Sequence, residues 1–215
     1  NSYTVRFDPS GGHAAAGSDI SDRNVPFTTP ISLPSLERSG YKSYYWYADL
    51  DGDDVQDEEE PVYSANETVS GIVGDNEVWL RAVWSQSSYT VTFNLNGGER
   101  LEGDNNVELD YEESLVLPSA TYTGYTLLGW IRDGESELLS AGTAVSHLTS
   151  EDGDTVLFTA QWEENRYTVK FDAAGGTVSP ESTDLAYTQS YPVPAPSRAG
   201  YDFLYWSHNG RTYAA

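Results

Sequence analysis

Apolar and polar residues alternate in three segments of the chain that share one pattern. The segments are YTVRFDPSGG from Tyr3, YTVTFNLNGG from Tyr89 and YTVKFDAAGG from Tyr167. Within each segment Tyr, Val and Phe occupy every second position, which is typical of a strand with one buried face. The Gly-Gly pair that follows tolerates positive φ, and Asn96-Gly97 is a strong signal for a tight turn. Each segment therefore predicts a strand and a turn that open a repeated unit.

A second block of each unit has fixed spacing. An aromatic residue is followed by a proline, by a Gly-Tyr pair and by a tryptophan at the same intervals in every copy. The three blocks run from Phe27 to Trp46, from Tyr111 to Trp130 and from Tyr187 to Trp206. Because loops tolerate length changes and cores do not, this spacing predicts packed elements. Between the proline and the glycine there is room for one helical turn in the first two copies, whereas Pro196 disfavours it in the third.

The first two copies end on an alternating strand, EVWLRAVW up to Trp84 and TVLFTAQW up to Trp162. The linkers SQSS and EENR then lead to the next opening tyrosine, and linkers this short predict a semi-rigid assembly. The third copy reaches Ala215 without this strand, which leaves an edge that is frayed, completed by another chain, or a result of where the segment was cut. We therefore predict three domains, 1–85, 86–164 and 165–215, the last of them incomplete.

Charge and composition limit the partners. Acidic residues number 34 against 11 basic ones, and the net charge of −23 repels nucleic acids and anionic membrane surfaces. We expect no nucleic-acid partner, and no direct membrane insertion of this segment, because no apolar run approaches the roughly 20 residues of a membrane span. Cysteine is absent, so disulfides and thiol chemistry are excluded. Since the chain has no initiator methionine, we expect it to be a segment of a longer protein.

The opening YTVxF segment, the proline, the Gly-Tyr pair, the tryptophan and the closing A-x-W strand together resemble the Listeria-Bacteroides repeat family, also called internalin-type B-repeats. The resemblance covers nearly the whole chain, as two complete copies and most of a third. Tyr45 and Tyr205 depart from it, because they stand where the family usually has glycine before tryptophan, and only Gly129 matches. The resemblance implies a β-rich α+β fold of small, tandem β-grasp-like domains on bacterial surface or secreted proteins, without catalytic residues.

The stretch from Asp49 to Glu60, DLDGDDVQDEEE, lies outside the repeat pattern, and eight of its twelve residues are acidic. On the twelve-residue calcium loop its ligand positions are taken by Asp49, Asp51, Asp53, the Val55 carbonyl, Asp57 and Glu60. It resembles the DxDGDGVxD loops of thrombospondin type 3 repeats. At the sixth position, where glycine is usual, Asp54 departs from the motif and weakens the match, although aspartate tolerates the left-handed conformation better than most residues. We predict a calcium site confined to the first copy; the alternative is a solvated acidic loop.

The segment from Tyr41 to Tyr47 is rich in aromatic residues. Alternation along a strand sends Tyr44 and Trp46 to one face and Tyr45 and Tyr47 to the other. Tyrosines on that second face are candidates for stacking on a sugar. The alternative is a packing role, because an exposed tyrosine on a sheet often packs across strands.

Catalysis has no support in the sequence. His13, His147 and His208 occupy unmatched positions in different copies, and no HExxH, GxSxG or phosphate-binding glycine loop is present. We predict a non-enzymatic, extracellular stalk or adhesive spacer, stabilised by calcium in the first copy. The alternative is a carbohydrate- or protein-binding module that uses surface aromatics. The partners left open are a host or cell-surface protein, a glycan, and a second chain that completes the third copy by self-association.

Overall fold

Strands are the only regular elements in residues 2–72 and 76–215, the part of the chain that the structure, a computed structural model, describes. The first copy contains β1 (Ser2–Asp8), β2 (His13–Ala14), β3 (Arg23–Pro26), β4 (Ile31–Ser32), β5 (Leu36–Glu37), β6 (Tyr41–Asp49), β7 (Val62–Ser64), β8 (Thr68–Val69) and β9 (Glu77–Gln86). The second contains β10 (Ser88–Asn94), β11 (Arg100–Leu101), β12 (Asn106–Asp110), β13 (Ser114–Val116), β14 (Ala120–Thr121), β15 (Tyr125–Arg132), β16 (Leu138–Leu139), β17 (Ala144–Ser146) and β18 (Thr155–Glu164). The third contains β19 (Arg166–Lys170), β20 (Ser182–Ala186), β21 (Trp206–His208) and β22 (Arg211–Tyr213). These strands confirm the β-rich prediction. They form because alternating β-branched and aromatic residues favour extended backbone.

The first copy folds around one five-stranded sheet in the order β3-β1-β9-β6-β7. The opening strand β1 and the closing strand β9 lie side by side in parallel, and the other neighbouring strands are antiparallel. Alternate residues of these strands face one core, in which Val5, Trp46 and Leu80 are fully buried. The opening segment therefore owes its alternation to packing on one face of this sheet.

The second copy has an equivalent sheet in the order β12-β10-β18-β15-β16. Its pairs β10–β12 and β15–β18 are antiparallel, with a register irregularity between Leu127 and Gly129. Val91, Trp130 and Phe158 are fully buried, at the positions equivalent to the core residues of the first copy. Because the two copies share this frame despite different loops, the alternating pattern and not loop length decides the sheet.

The helical turn for which the first two copies have room between the proline and the glycine does not form in either of them. In its place β5 pairs with β2, and β14 pairs with β11. These short ladders satisfy backbone N–H and C=O groups that a helical turn would have satisfied internally. The helical part of the expected α+β class is therefore not supported, and the described residues form an all-β structure.

The predicted turn after the opening strand is confirmed. Ser10 and Gly11 have φ angles of 48° and 87°, and the Gly12 N–H donates to the Pro9 carbonyl at 2.9 Å. Positive φ at both central residues is the geometry of a tight type I′ turn. After this turn, however, the chain pairs with β5 through β2 and not with β1.

The second glycine of the pair has a role that the sequence did not reveal. The indole ring of Trp84 lies over Gly12, where an added Cβ would be 2.3 Å from the ring. Trp162 lies in the same way over Gly98, at 2.6 Å. Each indole Nε1 also donates, at 2.8 Å, to the carbonyl three residues before that glycine. The closing tryptophan is therefore fastened to the opening turn of its own copy.

Residues 165–215 form two hairpins. Strand β19 pairs antiparallel with β20, and β21 pairs antiparallel with β22. Tyr167 is 49% exposed, whereas the equivalent Tyr3 and Tyr89 are buried. In the first two copies a closing strand lies beside the opening strand and adds buried apolar residues to the core, whereas no such strand pairs with β19 in the described residues.

By the density of its contacts the chain divides into two compact units. One comprises Asn1–Thr92, Asn105–Val116 and Ala144–Leu157. The other comprises Phe93–Asp104, Leu117–Thr143 and Phe158–Ala215. The second copy contributes to both units, and each linker between copies lies inside one unit. The domain boundaries 1–85, 86–164 and 165–215 stay a prediction.

Candidate cation-binding loop

The acidic loop, residues 49–60, leads from β6 to β7 at the edge of the first sheet. Alternation along β6 places Tyr47 and Asp49 on the face opposite the core residue Trp46. Asp49 and Glu60, which bound the loop, are only 4% and 8% exposed. Burial of a carboxylate is unfavourable unless it is paired, so the contacts of these two side chains decide how the loop holds together.

The middle of the loop is a series of short turns made by its own aspartates. The Asp53 N–H donates to Asp51 Oδ1 at 3.2 Å, and the Val55 N–H donates to Asp53 Oδ1 at 2.8 Å. Asp54 has a φ of 66°, so it adopts the left-handed conformation that glycine usually takes at this position of a calcium loop. Aspartate tolerates this conformation because its short polar side chain can hydrogen-bond locally.

Glu60 closes the loop at its far end. Its Oε1 accepts the Leu50 N–H at 2.7 Å, and its Oε2 accepts the Asp57 N–H at 3.1 Å. Each carboxylate oxygen has two lone pairs, so each retains one acceptor site beyond these bonds. Glu60 therefore holds the two ends of the loop together.

The guanidinium of Arg81, on strand β9, is the counter-charge under the loop. Its Nε donates to Asp49 Oδ2 at 2.7 Å and its Nη1 donates to Asp8 Oδ2 at 2.8 Å. Its Nη2 contacts Asp54, and its face lies 5.1 Å from the centre of the Trp79 ring. One cation thus ties the opening strand, the end of β6 and the acidic loop together.

The pKa values of two aspartates in the loop shift in opposite directions. Burial by itself raises the pKa of Asp49, but hydrogen bonds from Arg81 and from the Gly52 N–H outweigh it and hold that pKa below its ordinary value. Partial desolvation, followed by the negative charges of Asp53 and Asp51, raises the pKa of Asp57. Asp49 is therefore compensated by Arg81, whereas the carboxylates near Asp57 repel one another.

Three of the six predicted ligands come together. Carboxylate oxygens of Asp49, Asp51 and Asp53 lie within 4.8 Å of one another. Oxygens that each lie about 2.3–2.6 Å from a calcium ion are separated by at most about 5 Å, so this spacing fits the ion. The carboxylates of Asp57 and Glu60 lie outside this group of three, and Glu60 uses its carboxylate to cap loop amides.

Sequence reasoning missed Arg81 and Asp8, because neither belongs to the acidic stretch. A signal was present nonetheless. Arg81 alternates with Leu80 and Ala82, so a strand must send it to the face opposite the core, the same face as Asp49. What the pattern does not reveal is that β1 and β6 flank β9 and bring their aspartates to either side of it.

Two tyrosines of the aromatic segment of β6, Tyr45 and Tyr47, differ in exposure. Tyr45 is 36% exposed, and its hydroxyl donates to Gln56 Oε1 at 2.7 Å. Tyr47, which alternation assigned to the same surface, is only 4% exposed, and this burial raises its pKa. The expectation that both tyrosines line an open surface is therefore wrong for Tyr47, since the acidic loop folds over this part of the sheet.

The second and third copies have no equivalent of this loop. Within residues 2–72 and 76–215, the three aspartates of the first copy form the only group of three metal-ligating side chains. The histidines are dispersed: His13 lies 3.8 Å from Glu37, His147 lies 3.0 Å from Glu112, and His208 contacts Asn209. The calcium site that the sequence assigns to the first copy alone stays a prediction.

Tandem all-β units on short linkers, one of them carrying a specialised loop, define a repeat protein. The family described as the Listeria-Bacteroides repeat domain matches residues 3–70, 89–158 and 167–214, and the chain belongs to this family. Three tandem copies with a truncated third are thereby confirmed. Repeat-domain families of this kind are in general non-enzymatic.

The chain is also similar to two longer bacterial proteins of Evansella cellulosilytica. One, named "Putative membrane protein", is 32% identical over 209 residues, which cover 96% of this chain and 28% of the relative. The other, named "Putative Gly-rich membrane protein", is 28% identical over 211 residues, which cover 96% of this chain and 22% of the relative. The chain thus spans about a quarter of the length of these relatives. No solved structure matches.

Within the described residues no helix is long and apolar enough to cross a membrane. Together, the repeat family and the names of the relatives indicate a bacterial surface repeat protein.

Proposed function

We propose that the chain is a non-enzymatic, extracellular stalk or adhesive spacer within a longer bacterial surface protein. The observation that carries this proposal is the repetition of one sheet frame on linkers of only a few residues. Repeated folded units provide reach, and short linkers restrict how far neighbouring units swing. A net charge of −23 supports the proposal, because it disfavours collapse onto anionic surfaces.

The location can be tested on intact cells of the producing bacterium. An antibody raised against residues 1–215 should label intact cells, and an added protease should remove that signal. Labelling that appears only after lysis would contradict an extracellular spacer.

Each of the first two copies is, we propose, a β-grasp unit without its helix. In the first copy the four main strands β1, β3, β6 and β9 take the order second, first, fourth, third, with a central parallel pair. This is the strand order of a β-grasp sheet. The short strands β4 and β5 lie between β3 and β6, where that fold carries a helix in the chain, and they pair with β8 and β2.

The acidic loop of the first copy is proposed to bind calcium. Asp49, Asp51 and Asp53 would hold the ion with carboxylate oxygens, and the remaining predicted oxygens come from the Val55 carbonyl, Asp57 and Glu60. The ion would supply positive charge among carboxylates that otherwise repel, and so stabilise the loop against its own charge. Arg81 already compensates one side of Asp49, so the cation is needed mainly at Asp51 and Asp53.

Calorimetry and thermal unfolding with calcium test this site. Calcium at a hundredfold excess over its Kd should stabilise the chain by about 2.7 kcal/mol. Asp51→Asn should abolish the effect, because it removes the charge of one proposed ligand. The ion pairs of Arg81 should stay intact, since they are made with Asp8, Asp49 and Asp54. The matched control is Asp133→Asn, in the turn of the second copy, which should leave the calcium response unchanged.

Absence of binding heat at millimolar calcium would eliminate the site. The spacer proposal would survive that result, because it rests on the repeated frame and not on the ion.

The alternative function, a glycan- or protein-binding surface, has one observation in its favour. Phe203, Leu204 and Tyr205 of the third copy are exposed, at 38%, 80% and 55%. An apolar aromatic patch of this kind is a generic binding feature. A glycan array read with the wild type, Tyr45→Ala and Tyr205→Ala separates the two functions. Sugar binding lost in either variant supports the alternative, and a silent array supports the spacer.

A further inference from the structure

The first and second copies meet through two backbone hydrogen bonds at the linker. The Ser87 N–H donates to the Gly40 carbonyl, and the Tyr111 N–H donates to the Ser87 carbonyl, each at 2.9 Å. The second junction repeats both bonds at 2.9 Å, with Asn165, Gly124 and Tyr187 in the same roles. The linker residue is therefore held between the glycine of one copy and the loop tyrosine of the next.

At each junction the loop tyrosine also covers the glycine. An added Cβ on Gly40 would lie 2.2 Å from the Tyr111 ring, and one on Gly124 would lie 2.1 Å from the Tyr187 ring. Both glycines have positive φ, at 80° and 82°. The glycine thus leaves a flat backbone surface onto which the ring of the following copy packs.

A side-chain bond completes both junctions with different residues. The Glu112 N–H donates to Gln86 Oε1 at 3.1 Å, and the Thr188 N–H donates to Glu164 Oε1 at 2.8 Å. An amide and a carboxylate therefore accept the same bond. Because the side chains differ while the geometry is kept, the junction is a property of the repeat and not of one pair of sequences.

The third copy carries the glycine side of the same junction. Gly200 has a φ of 78°, and no heavy atom of the described residues outside 199–201 lies within 4 Å of the place that its Cβ would take. Tyr201 is 66% exposed and is stacked under Arg198 at 4.1 Å. In the first copy, where the junction is made, Arg38 stacks over Tyr41 in the same way, at 3.8 Å.

We propose that Arg198, Gly200 and Tyr201 form a docking surface for a further repeat of the same family, which places its loop aromatic ring over Gly200. Continuity with two established junctions identifies this occupant, because the same surface is covered in the same way twice within the chain. Phe27, which is 46% exposed, holds the position of the docking ring in the first copy. The docking uses backbone bonds and a ring, so it is independent of calcium.

Two glycine variants of the 215-residue chain separate ring contact from backbone strain. Gly124→Ala and Gly200→Ala incur a similar strain from positive φ, but only Gly124 is covered by a ring. Amide exchange at Asn165 and Tyr187 should accelerate about tenfold in Gly124→Ala, the size expected from overpacking, and should not change in Gly200→Ala. Equal behaviour of the two variants would overturn the role given to the ring.

A double variant keeps the test valid if Gly124→Ala is poorly folded. Tyr187→Ala removes the ring. When Gly124→Ala is added to Tyr187→Ala, the further loss in the free energy of unfolding should be no larger than the loss caused by Gly200→Ala in the wild type. A Gly124→Ala penalty that persists without the ring would count against the junction.

The docking surface itself is tested by appending residues 140–215 after Ala215, which supplies a closing strand, a linker and one more loop tyrosine. The reactivity of Tyr201 toward tetranitromethane should then fall to that of Tyr125. In a control whose appended tyrosine equivalent to Tyr187 is replaced by alanine, Tyr201 should stay reactive. Unchanged reactivity of Tyr201 in the extended chain would overturn the proposal.

Discussion

The outer faces of the first and second sheets differ at equivalent positions, although their cores match. In the first copy Arg81 lies among three carboxylates under a twelve-residue acidic loop. In the second copy the equivalent position of the closing strand is Thr159, and the chain returns after a short turn. That turn carries an exposed ion pair between Arg132 and Glu135 at 2.9 Å.

The difference shows which parts of the repeat are free to vary. Core positions such as Trp46 and Trp130 are fully buried in both copies. They are not free to vary, because a smaller side chain there would leave a cavity. The β6–β7 connection faces solvent in part, so it can lengthen without disturbing the frame. A longer connection with many carboxylates then needs a counter-charge, and the closing strand supplies it through Arg81.

The largest effect is expected from Arg81→Ala. The Asp49 side chain is 0% exposed and that of Arg81 is 15% exposed, so the change leaves a buried carboxylate without its partner. The free energy of unfolding should fall by about 3 kcal/mol. Urea unfolding of the chain measures it. The matched control Thr159→Ala should change stability by less than about 0.5 kcal/mol. Similar losses in both variants would remove the contrast between the copies.

A smaller and equal effect is expected from Gly12→Ala and Gly98→Ala, which probe the shared frame. In each the new Cβ meets a closing tryptophan at 2.3 or 2.6 Å, and such overpacking costs about 2 kcal/mol. In a chain that already carries Trp84→Leu, Gly12→Ala should lower the free energy of unfolding by much less, because the indole ring is absent. A large difference between the two glycine variants would show that the copies do not share this contact.

Glu135→Ala should lower the free energy of unfolding by only about 0.5 kcal/mol, because the Arg132–Glu135 ion pair of the second copy is largely exposed. Urea unfolding in parallel with Arg81→Ala gives the comparison directly. If Glu135→Ala proved as damaging as Arg81→Ala, burial would not be what separates the two ion pairs.

The smallest effect is a local dependence on pH at the first junction. The hydrogen bond from His147, and then that from the Tyr41 hydroxyl, hold the pKa of Glu112 below its ordinary value of 4.5. A lowered pKa means that ionised Glu112 stabilises the fold above about pH 4.5 and that this contribution is lost as pH falls through the folded value.

Amide exchange of Ser87 and Tyr111, corrected for intrinsic rates, should therefore accelerate in acid. Glu112→Gln should remove the pH dependence at these amides. An unaltered acid response in that variant would assign the effect to another group.

Much of the frame follows from local sequence. The Tyr-Val-Phe alternation predicted the opening strands, Gly-Gly predicted their turns, and EVWLRAVW and TVLFTAQW predicted the closing strands. These features depend on period-two burial and on φ preferences that few residues satisfy. The sequence named six ligands in the acidic loop, and of its aspartates Asp49, Asp51 and Asp53 come together whereas Asp57 does not join them.

Other features needed the tertiary structure. The segment after Pro34 had room for a helical turn, yet pairing with β2 decided for a strand. Tyr47 is buried because a loop folds back over it, and alternation alone cannot show what covers a face of a sheet. The sequence by itself determined the repeat, the strands and the place of the acidic loop. Only the fold brought Arg81 between Asp8 and Asp49 and a tyrosine ring onto Gly40 and Gly124, because these contacts join residues far apart in the chain.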